Sequence, residues 1–239
     1  MKILISSGGT EEPIDGVRSI TNFSTGKTGA LLADRLTERG ATVTLLHGQR
    51  ACQPEKALEK DIFTSFRSLD EKLKEHLSTG KYDAVIHLAA VSDYSVDYIE
   101  TDEGTRIEPD DRGKISSDSD GLVLHLKRNH KILQRLKKYS PKGRELIVVG
   151  FKLTDTDSRE EMESAVKKQL AEGHVDLVVH NNLRDISKTK HPAGIYNSDG
   201  DLIFRTGTKE ELADKLFSLL QPVTPPGSEA ESSQKGEIN

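Results

Sequence analysis

The chain of 239 residues carries one cysteine and a formal net charge of −5 at pH 7. Its length suits one α/β domain, its acidic balance argues against a nucleic-acid binder, and its single thiol excludes an internal disulfide, so a cytoplasmic location is expected. No apolar run approaches the ~20 residues that a membrane helix needs, and the first residues lead into a strand without the features of a signal peptide.

Apolar residues alternate along the chain between strand-like and helix-like spacing. In chain order, the pattern predicts a strand at 2–7, a helix at 29–39, a strand at 42–46, a helix at 69–77, strands at 84–88 and 122–126, a helix at 131–139, a strand at 146–150, a helix at 159–171, a strand at 176–179, a hairpin of 193–196 with 202–205, and a helix at 208–220. Thr208 and Glu211 form a capping box for the last helix. This alternation predicts an α/β fold, a Rossmann-like parallel sheet with helices on both faces.

Two segments depart from this alternation. The stretch 92–121 is acidic and poor in apolar residues, and a loop of that length predicts a projecting arm or flap. The stretch 222–239 combines prolines, serines and acids, which predicts a disordered tail. The sequence therefore predicts a single domain over 1–221.

Two glycine clusters follow the first strand. Gly8 and Gly9 end the strand, and Gly26 lies just before the first helix, next to Ser24. Glycines let the backbone approach a phosphate, and the start of a helix offers free N–H groups, so the clusters together favour a phosphorylated ligand over ordinary turns. Their spacing satisfies neither the dinucleotide fingerprint nor the P-loop.

Other candidate residues follow later strands. Ala89 and Ala90 precede Asp93 after the strand at 84–88, where the ligand of an open parallel sheet lies. Asp93 suits a ribose hydroxyl or a metal ion, or it caps backbone N–H groups of its own loop. Phe151 and Lys114 suit a base and a phosphate, but the alternatives are a core aromatic and a solvated lysine.

Five segments, in order, resemble the signatures of the phosphopantothenate–cysteine ligase family. The stretch 8–22 resembles GGTxEPIDxVRxIxN, and 24–29 resembles SSGKMG. The stretch 89–94 resembles AAVADY, 113–115 resembles the start of GKIKK, and 150–151 matches a later GF. The likeness is greatest to the stand-alone bacterial form, which lacks the fused flavin-dependent decarboxylase.

The resemblance implies a reaction of coenzyme A biosynthesis. The substrates would be 4′-phosphopantothenate, L-cysteine and CTP, with ATP left open, and the cofactor would be Mg²⁺ without flavin. The family forms homodimers in which an arm covers the neighbouring site, a role that 92–121 suits. No partner in nucleic acid or membrane is implied.

The resemblance also implies roles for single residues. Asn22 would hold the acyl-nucleotide intermediate and Lys114 would contact the nucleotide phosphates, which makes these two the catalytic candidates. The expected nucleotide-binding residues are Gly9, Ser24, Gly26, Ala89, Ala90, Asp93, Lys114, Phe151 and Lys168. Glu172 and Asn182 depart from the family pattern, and no metal ligands are specified.

Two alternatives remain beside the ligase. A short-chain oxidoreductase using NAD(P) shares the opening strand, glycine turn and helix. None of the five tyrosines, however, has the Y-x-x-x-K spacing of that class, and no acidic residue follows the second strand. A non-catalytic nucleotide-binding protein would keep the glycine loops without needing Asn22 or Lys114.

Overall fold

The computed structural model describes residues 1–57, 59–109, 113–116, 120–172, 174–187 and 190–221. The strands in these ranges are β1 (Lys2–Ser7), β2 (Glu11–Pro13), β3 (Ser19–Thr21), β4 (Thr42–Gly48), β5 (Glu59–Phe63), β6 (Ala84–His87), β7 (Tyr94–Thr101), β8 (Arg106–Ile107), β9 (Leu122–Arg128), β10 (Ile147–Thr154), β11 (Leu177–Asn182), β12 (Ala193–Tyr196) and β13 (Leu202–Thr206). The helices are α1 (Lys27–Glu38), α2 (Phe66–Ser78), α3 (Leu136–Tyr139), α4 (Arg159–Ala171) and α5 (Lys209–Leu220).

A central sheet joins eight of the described strands in the order β13-β12-β11-β10-β6-β1-β4-β5. The strands from β5 to β11 in this order run parallel, and β12 and β13 extend the β11 edge as an antiparallel hairpin. From β1 the chain proceeds to β4 and β5 on one side and then to β6, β10 and β11 on the other. This reversal opens a crevice beyond the carboxyl ends of β1 and β6, where open parallel sheets bind ligands.

Helices cover both faces of the central sheet. Ile3 and Ile5 pack in the core shared with α1 and α5, whereas Leu4 packs in the core shared with α2, α3 and α4. Side chains of a strand alternate between faces, so a continuously apolar strand needs a helical layer on each side. The predicted Rossmann-like fold is confirmed.

The strongest local signals place the helices well. The bounds of α4 match the prediction, and α5 begins after Thr208, whose hydroxyl accepts a hydrogen bond from the Glu211 amide at 3.2 Å. The Glu211 carboxylate accepts from the Gly207 amide at 2.7 Å, one residue before the expected partner. The predicted helix at 131–139 is wrong in part, because Arg135, at φ −109°, separates a 3-10 turn from the single turn of α3.

The acidic segment 92–121 begins with regular structure rather than an irregular arm. β7 pairs antiparallel with β9 and with the short β8, and these strands form a separate sheet. On β7 the buried apolar residues are Val96 and Ile99, too few to stand out in the sequence. The predicted strand at 122–126 thus belongs to this second sheet. Positions 110–112 and 117–119, and the predicted tail 222–239, lie outside the described residues.

The sequence also gives little sign of the β2–β3 hairpin or of β5. The hairpin strands have three residues each, and β5 carries three charged residues before Ile62 and Phe63. Only Phe63 of β5 is buried, because β5 is the edge strand of the central sheet. Strands this short or this polar lack a readable apolar period.

Gly29 lets α1 pack directly on the end of β1. A β-carbon at this position would lie 2.1 Å from the Ser7 hydroxyl oxygen and 2.3 Å from the Ser7 β-carbon. The Ser7 hydroxyl donates to the Gly26 carbonyl at 3.1 Å, which ties the strand end to the residue before the helix. The first turn of α1 therefore borders the crevice.

We expect Gly29→Ala to lower the free energy of unfolding by ~1–3 kcal/mol, because the added methyl group forces Ser7 and α1 apart. Urea unfolding followed by circular dichroism measures this change. Gly121→Ala is the matched control, since a β-carbon there meets nothing within 4 Å in the described part of the chain. Equal midpoints for both variants would contradict the role of Gly29.

Candidate functional site

Main-chain hydrogen bonds join the loops that follow β1 and β6. The Ala90 amide donates to the Gly8 carbonyl at 2.8 Å, and the Thr10 amide donates to the Ala90 carbonyl at 3.1 Å. Gly9 and Ala90 pair as an isolated parallel bridge. The first glycine cluster and the Ala-Ala motif, far apart in sequence, thus form one continuous floor at the crevice.

Gly9 allows another loop to cross this floor. A β-carbon at Gly9 would lie 2.2 Å from the Asn22 carbonyl oxygen, so the loop after β3 can take this path only over a glycine. Asn22 is half-buried, and its main-chain N–H donates to the Thr10 carbonyl at 3.4 Å. Gly9 therefore affects the site by allowing the backbone of the loop after β3 to pass close to it.

Gly26 turns the chain into α1. It has φ 71°, a left-handed conformation that side chains with a β-carbon rarely adopt. The first N–H groups of a helix have no partner within the helix and carry the positive end of its dipole. Together with the Lys27 side chain, the start of α1 is a favourable place for an anion.

A cavity of about 560 Å³ lies over the ends of β1, β6 and β10. The residues predicted to bind nucleotide that line this cavity are Ser24, Gly26, Ala89, Ala90, Asp93, Phe151 and Lys168. Gly9, Asn22 and Lys114 are not among its lining residues, and their roles stay predictions. The structure thus brings together most of the predicted site from four separate segments.

Lysines outnumber carboxylates around the cavity. In the described ranges, the charged lining residues are Lys27, Lys131, Lys152, Lys168, Asp93 and Glu172. The Lys131 ammonium lies 2.6 Å from an Asp93 carboxylate oxygen. The side-chain amide of Gln134 donates to the Glu172 carboxylate at 3.1 Å. The excess of positive charge favours an anionic ligand.

His87 lines the cavity at the end of β6 and adds no charge to it. Its Nδ1 lies 2.7 Å from the Ser6 hydroxyl oxygen, and its side chain is buried. Burial lowers the pKa of His87 to about 4. The imidazole is therefore neutral near pH 7, where it can hydrogen-bond but cannot neutralise a phosphate.

Lys114 is exposed, and its segment 113–116 is attached to the loop between β2 and β3. The Gly16 amide donates to the Gly113 carbonyl at 2.5 Å, and the Ile115 amide donates to an Asp15 carboxylate oxygen at 3.1 Å. The Arg18 guanidinium donates to the Ile115 carbonyl at 3.1 Å. These bonds fix the backbone on both sides of Lys114.

Asp15 is the centre of this attachment, which we call the Asp15 clamp. Its side chain is 3% exposed, forms an ion pair with Arg18, and accepts from the amides of Val17 at 3.0 Å and Arg18 at 2.8 Å. The Arg18 guanidinium, opposed by burial and assisted by the amides of Val17, Ile115 and Arg18, holds the pKa of Asp15 well below its ordinary value. Asp15 therefore stays ionised while it binds the Lys114 segment.

The two departures from the family pattern lie in different surroundings. Glu172 lines the cavity, whereas Asn182 lies outside it and donates to the Thr156 carbonyl at 2.9 Å. The neighbouring Asn181 does line the cavity and donates to the Pro192 carbonyl at 2.6 Å. Asn182 thus ties the end of β11 to the backbone of the loop that follows β10.

Several lining residues carry no signal in the sequence. Lys131 reaches Asp93 from a segment predicted only as helix, and Gln169 lies within the polar pattern of α4. Phe23 lines the cavity edge although its side chain is fully exposed. Asn181 had a sequence clue, since it directly precedes Asn182, a position that departs from the family pattern. Phe23 lies between the predicted site residues Asn22 and Ser24, whereas Lys131 and Gln169 require knowledge of which segments meet.

The described ranges hold no group of three His, Cys, Asp or Glu side chains that could bind a metal ion unaided. The same ranges contain no helix with the length and apolar content needed to cross a membrane.

Comparison with known proteins gives a consistent result. Residues 1–223 match the family described as DNA/pantothenate metabolism flavoprotein C-terminal domain. The chain is 32% identical over 220 residues to the coenzyme A biosynthesis bifunctional protein CoaBC of Thermococcus kodakarensis, an alignment that covers 92% of this chain and 51% of that protein. The chain thus spans about half the length of the curated relatives it matches.

Solved structures share the fold. A DNA/pantothenate metabolism flavoprotein from Streptococcus pneumoniae has a TM-score of 0.80 and 33% identity, with 92% of this chain and 98% of that chain covered. The C-terminal domain of a bifunctional CoaBC protein has a TM-score of 0.70 and 27% identity, with 92% and 93% covered.

We expect Asp15→Asn to release the Lys114 segment, because the neutral amide can no longer form the ion pair with Arg18. Limited trypsin digestion, followed by mass spectrometry, should show cleavage after Lys114 about an order of magnitude faster than in the unmodified protein. Asp97→Asn, which removes the exposed partner of Lys127, is the matched control. Equal cleavage rates in Asp15→Asn and Asp97→Asn would contradict the clamp.

The lowered pKa of Asp15 also predicts how the effect of Asp15→Asn on Tm depends on pH. Because the folded-state pKa of Asp15 is lowered, its contribution to stability is complete above the ordinary aspartate pKa. That contribution decreases progressively as pH falls below the ordinary aspartate pKa, and it is lost once pH has fallen through the lowered value. The Tm difference between the unmodified protein and Asp15→Asn should therefore stay constant from about pH 6 to pH 8.

Proposed function

Because the chain belongs to the DNA/pantothenate metabolism flavoprotein C-terminal domain family, we propose that it joins 4′-phosphopantothenate to L-cysteine. A nucleoside triphosphate activates the carboxylate, and the reaction is a step of coenzyme A biosynthesis. The names of the CoaBC relatives support this pathway.

The single observation that carries the proposal is the two-sided character of the cavity. One end has the Gly26 turn, the start of α1 and Lys27, which suit a triphosphate. The other end has Ile132, Leu133 and Phe151, which suit a planar base. A nucleoside triphosphate needs both surfaces within one cavity.

The chemistry takes two displacement steps. A carboxylate oxygen of phosphopantothenate forms a bond to the α-phosphorus, and the bond from that phosphorus to pyrophosphate breaks. The cysteine amine then forms a bond to the acyl carbon, loses a proton, and displaces the nucleoside monophosphate. The first step needs charge neutralised at the triphosphate, and both need the reactants held in line.

The cavity residues divide this work. Ser24 and Gly26 contact the phosphates, with Gly9 supporting the loop that carries them, and Lys168 adds charge. Ala89 and Ala90 leave room for the nucleotide beside β6. Phe151 packs on the base.

Asn22 and Lys114 do not line the cavity, so each must reach the ligand from a neighbouring position. Asn22 is anchored by its backbone next to Gly9, and from there its side chain would bind the acyl nucleotide. Lys114 is held by the Asp15 clamp on an exposed segment, so it contacts phosphate after that segment moves or in the cavity of a second copy. A homodimer with exchanged arms is the simplest arrangement for the second route.

Magnesium would enter this cavity bound to the triphosphate of the nucleotide. Magnesium bound to a triphosphate usually takes only one or two protein carboxylates, so a cluster of three ligands is not required. Asp93 is exposed, lines the cavity and is the carboxylate best placed to contact the ion. When bound, magnesium shares the charge of the triphosphate.

Purified protein with magnesium, 4′-phosphopantothenate and L-cysteine should release pyrophosphate when given CTP or ATP. Coupled pyrophosphate detection measures the rate, and mass spectrometry identifies phosphopantothenoylcysteine. CTP is the expected substrate, with ATP as the parallel assay. Nucleotide binding without pyrophosphate release from either would favour a non-catalytic nucleotide-binding protein and end the ligase proposal.

We expect Lys114→Gln to slow pyrophosphate release about a hundredfold, as loss of one charge-stabilising group at a reacting centre does. A single-turnover assay separates this first step from amide formation. Lys74→Gln, on the exposed side of α2, is the control for loss of a lysine charge. Unchanged single-turnover kinetics in Lys114→Gln would remove Lys114 from the mechanism.

A further inference from the structure

Glu12 of β2 carries a buried carboxylate, and it is 2% exposed. One carboxylate oxygen accepts from the main-chain N–H of Phe66, the first residue of α2, at 2.8 Å. The other accepts from the Ser95 hydroxyl at 2.6 Å. In the described part of the chain, no basic side chain pairs with Glu12. Burying a charge without a counter-charge costs free energy, so the charge at this position needs an explanation.

Ser95 connects this carboxylate to Asn129, which follows β9. The Ser95 hydroxyl has one hydrogen, and the 2.6 Å contact directs it to Glu12. The Ser95 oxygen then accepts from the side-chain amide of Asn129 at 2.8 Å. Because an ionised carboxylate accepts hydrogen bonds but donates none, Glu12 fixes the direction of both bonds. Without it, the Ser95 hydrogen could turn to the Asn129 carbonyl oxygen, which lies 3.2 Å away.

Asn129 in turn holds the loop that carries Asp93. Its side-chain amide donates to the Ser92 carbonyl at 3.0 Å, and its main-chain N–H donates to the Asp93 carbonyl at 2.8 Å. Two residues further on, the Lys131 ammonium lies 2.6 Å from the Asp93 carboxylate. Ser92, Asp93 and Lys131 line the cavity, whereas Asn129 does not. Asn129 therefore joins the two segments that bring this ion pair to the cavity.

The Asp93 carboxylate depends on this support for its position. Within the described ranges, its one partner is the Lys131 ammonium, and both side chains are half-exposed. No hydrogen bond from its own loop orients the carboxylate there, so the backbone path and Lys131 determine where it points. Asn129 fixes that path on both sides of the peptide bond between Ser92 and Asp93.

We propose that Glu12 is a positioning residue for the proposed reaction, an inference that rests on the proposed nucleotide-dependent function. Through Ser95 it orients the Asn129 amide, and Asn129 holds Asp93 where it can contact the magnesium-bound triphosphate. Glu12 does not line the cavity, so its effect is indirect. The buried charge is explained because only an acceptor keeps the Asn129 amide directed at the Ser92 carbonyl.

The test uses Glu12→Gln, which keeps the shape of the side chain but adds a donor where Ser95 needs an acceptor. Calorimetry measures the Kd of CTP and of ATP, each with magnesium and with EDTA. We expect Glu12→Gln to weaken binding of the magnesium-bound nucleotide about tenfold, as loss of a residue that orients a metal ligand does. Metal-free binding should not weaken. A merely structural role would weaken both equally, and that result would overturn the proposal.

Hydrogen exchange of the ligand-free protein tests the same idea without a nucleotide. The main-chain N–H of Asn129 should lose protection in Glu12→Gln, because its bond to the Asp93 carbonyl depends on the orientation of the Asn129 amide. Unchanged protection at Asn129 would overturn the positioning role.

Ser65→Ala is the matched control, because it weakens the same helix start without touching Ser95. The Ser65 hydroxyl caps α2 by accepting from the Ser68 amide at 3.3 Å. This variant should lower stability but leave both the magnesium-dependent Kd and the protection of Asn129 unchanged. A loss in Ser65→Ala equal to that in Glu12→Gln would assign the effect to α2 and contradict the proposal.

Asn129→Ala removes the next member of the chain and keeps the proposal testable if Glu12→Gln misfolds. It should weaken magnesium-bound nucleotide as Glu12→Gln does, and the double variant should be no weaker than either single one, because both act through the same bonds. Additive losses would show that Glu12 acts by another route. If the unmodified protein binds neither nucleotide, the proposed function fails, and the protection of Asn129 still decides whether Glu12 positions this loop.

Discussion

The interlocked ends of β1 and β6 are the constraint on which the rest of the structure depends. The loops after these strands exchange main-chain hydrogen bonds through Gly8, Thr10 and Ala90, and Gly9 lies close under the carbonyl of Asn22. Backbone groups at a ligand cavity must be paired or face the ligand, so this floor leaves little freedom. The start of α1, the crossing loop and the residues after β6 take their positions from it.

Much of the fold could be predicted, because its signals are local. The apolar run of β1 and the Thr208 cap of α5 each identify an element within a few residues. β7 was missed because its stability comes from pairing with β9, and only Val96 and Ile99 are buried on it. Pairing of that kind depends on which segments meet, and a single strand's composition does not report it.

The site was predictable to the extent that glycine and motif spacing reflect backbone geometry. Gly26 and Ala90 are recognisable because the chain must turn or approach closely there. Lys131 and Gln169 were not recognisable, because lysine and glutamine in a segment with helical spacing normally face solvent. Only the packing of α4 and of the 3-10 turn against β10 brings them to the cavity. The stretch 8–22 also has two structural roles. Asp15 and Arg18 hold the Lys114 segment, while the glycines shape the cavity.

The contact between Gly29 and Ser7 has a thermodynamic consequence. The first turn of α1 serves both as packing between helix and sheet and as the proposed phosphate end of the cavity. A compound bound there is linked to the folding equilibrium by mass action, and at a hundred times its Kd it adds ~2.7 kcal/mol to the stability of the native state. Thermal melting therefore becomes a ligand screen for this protein, in which a collection of phosphorylated metabolites can be ranked by the melting temperature each one produces, without any assay of turnover.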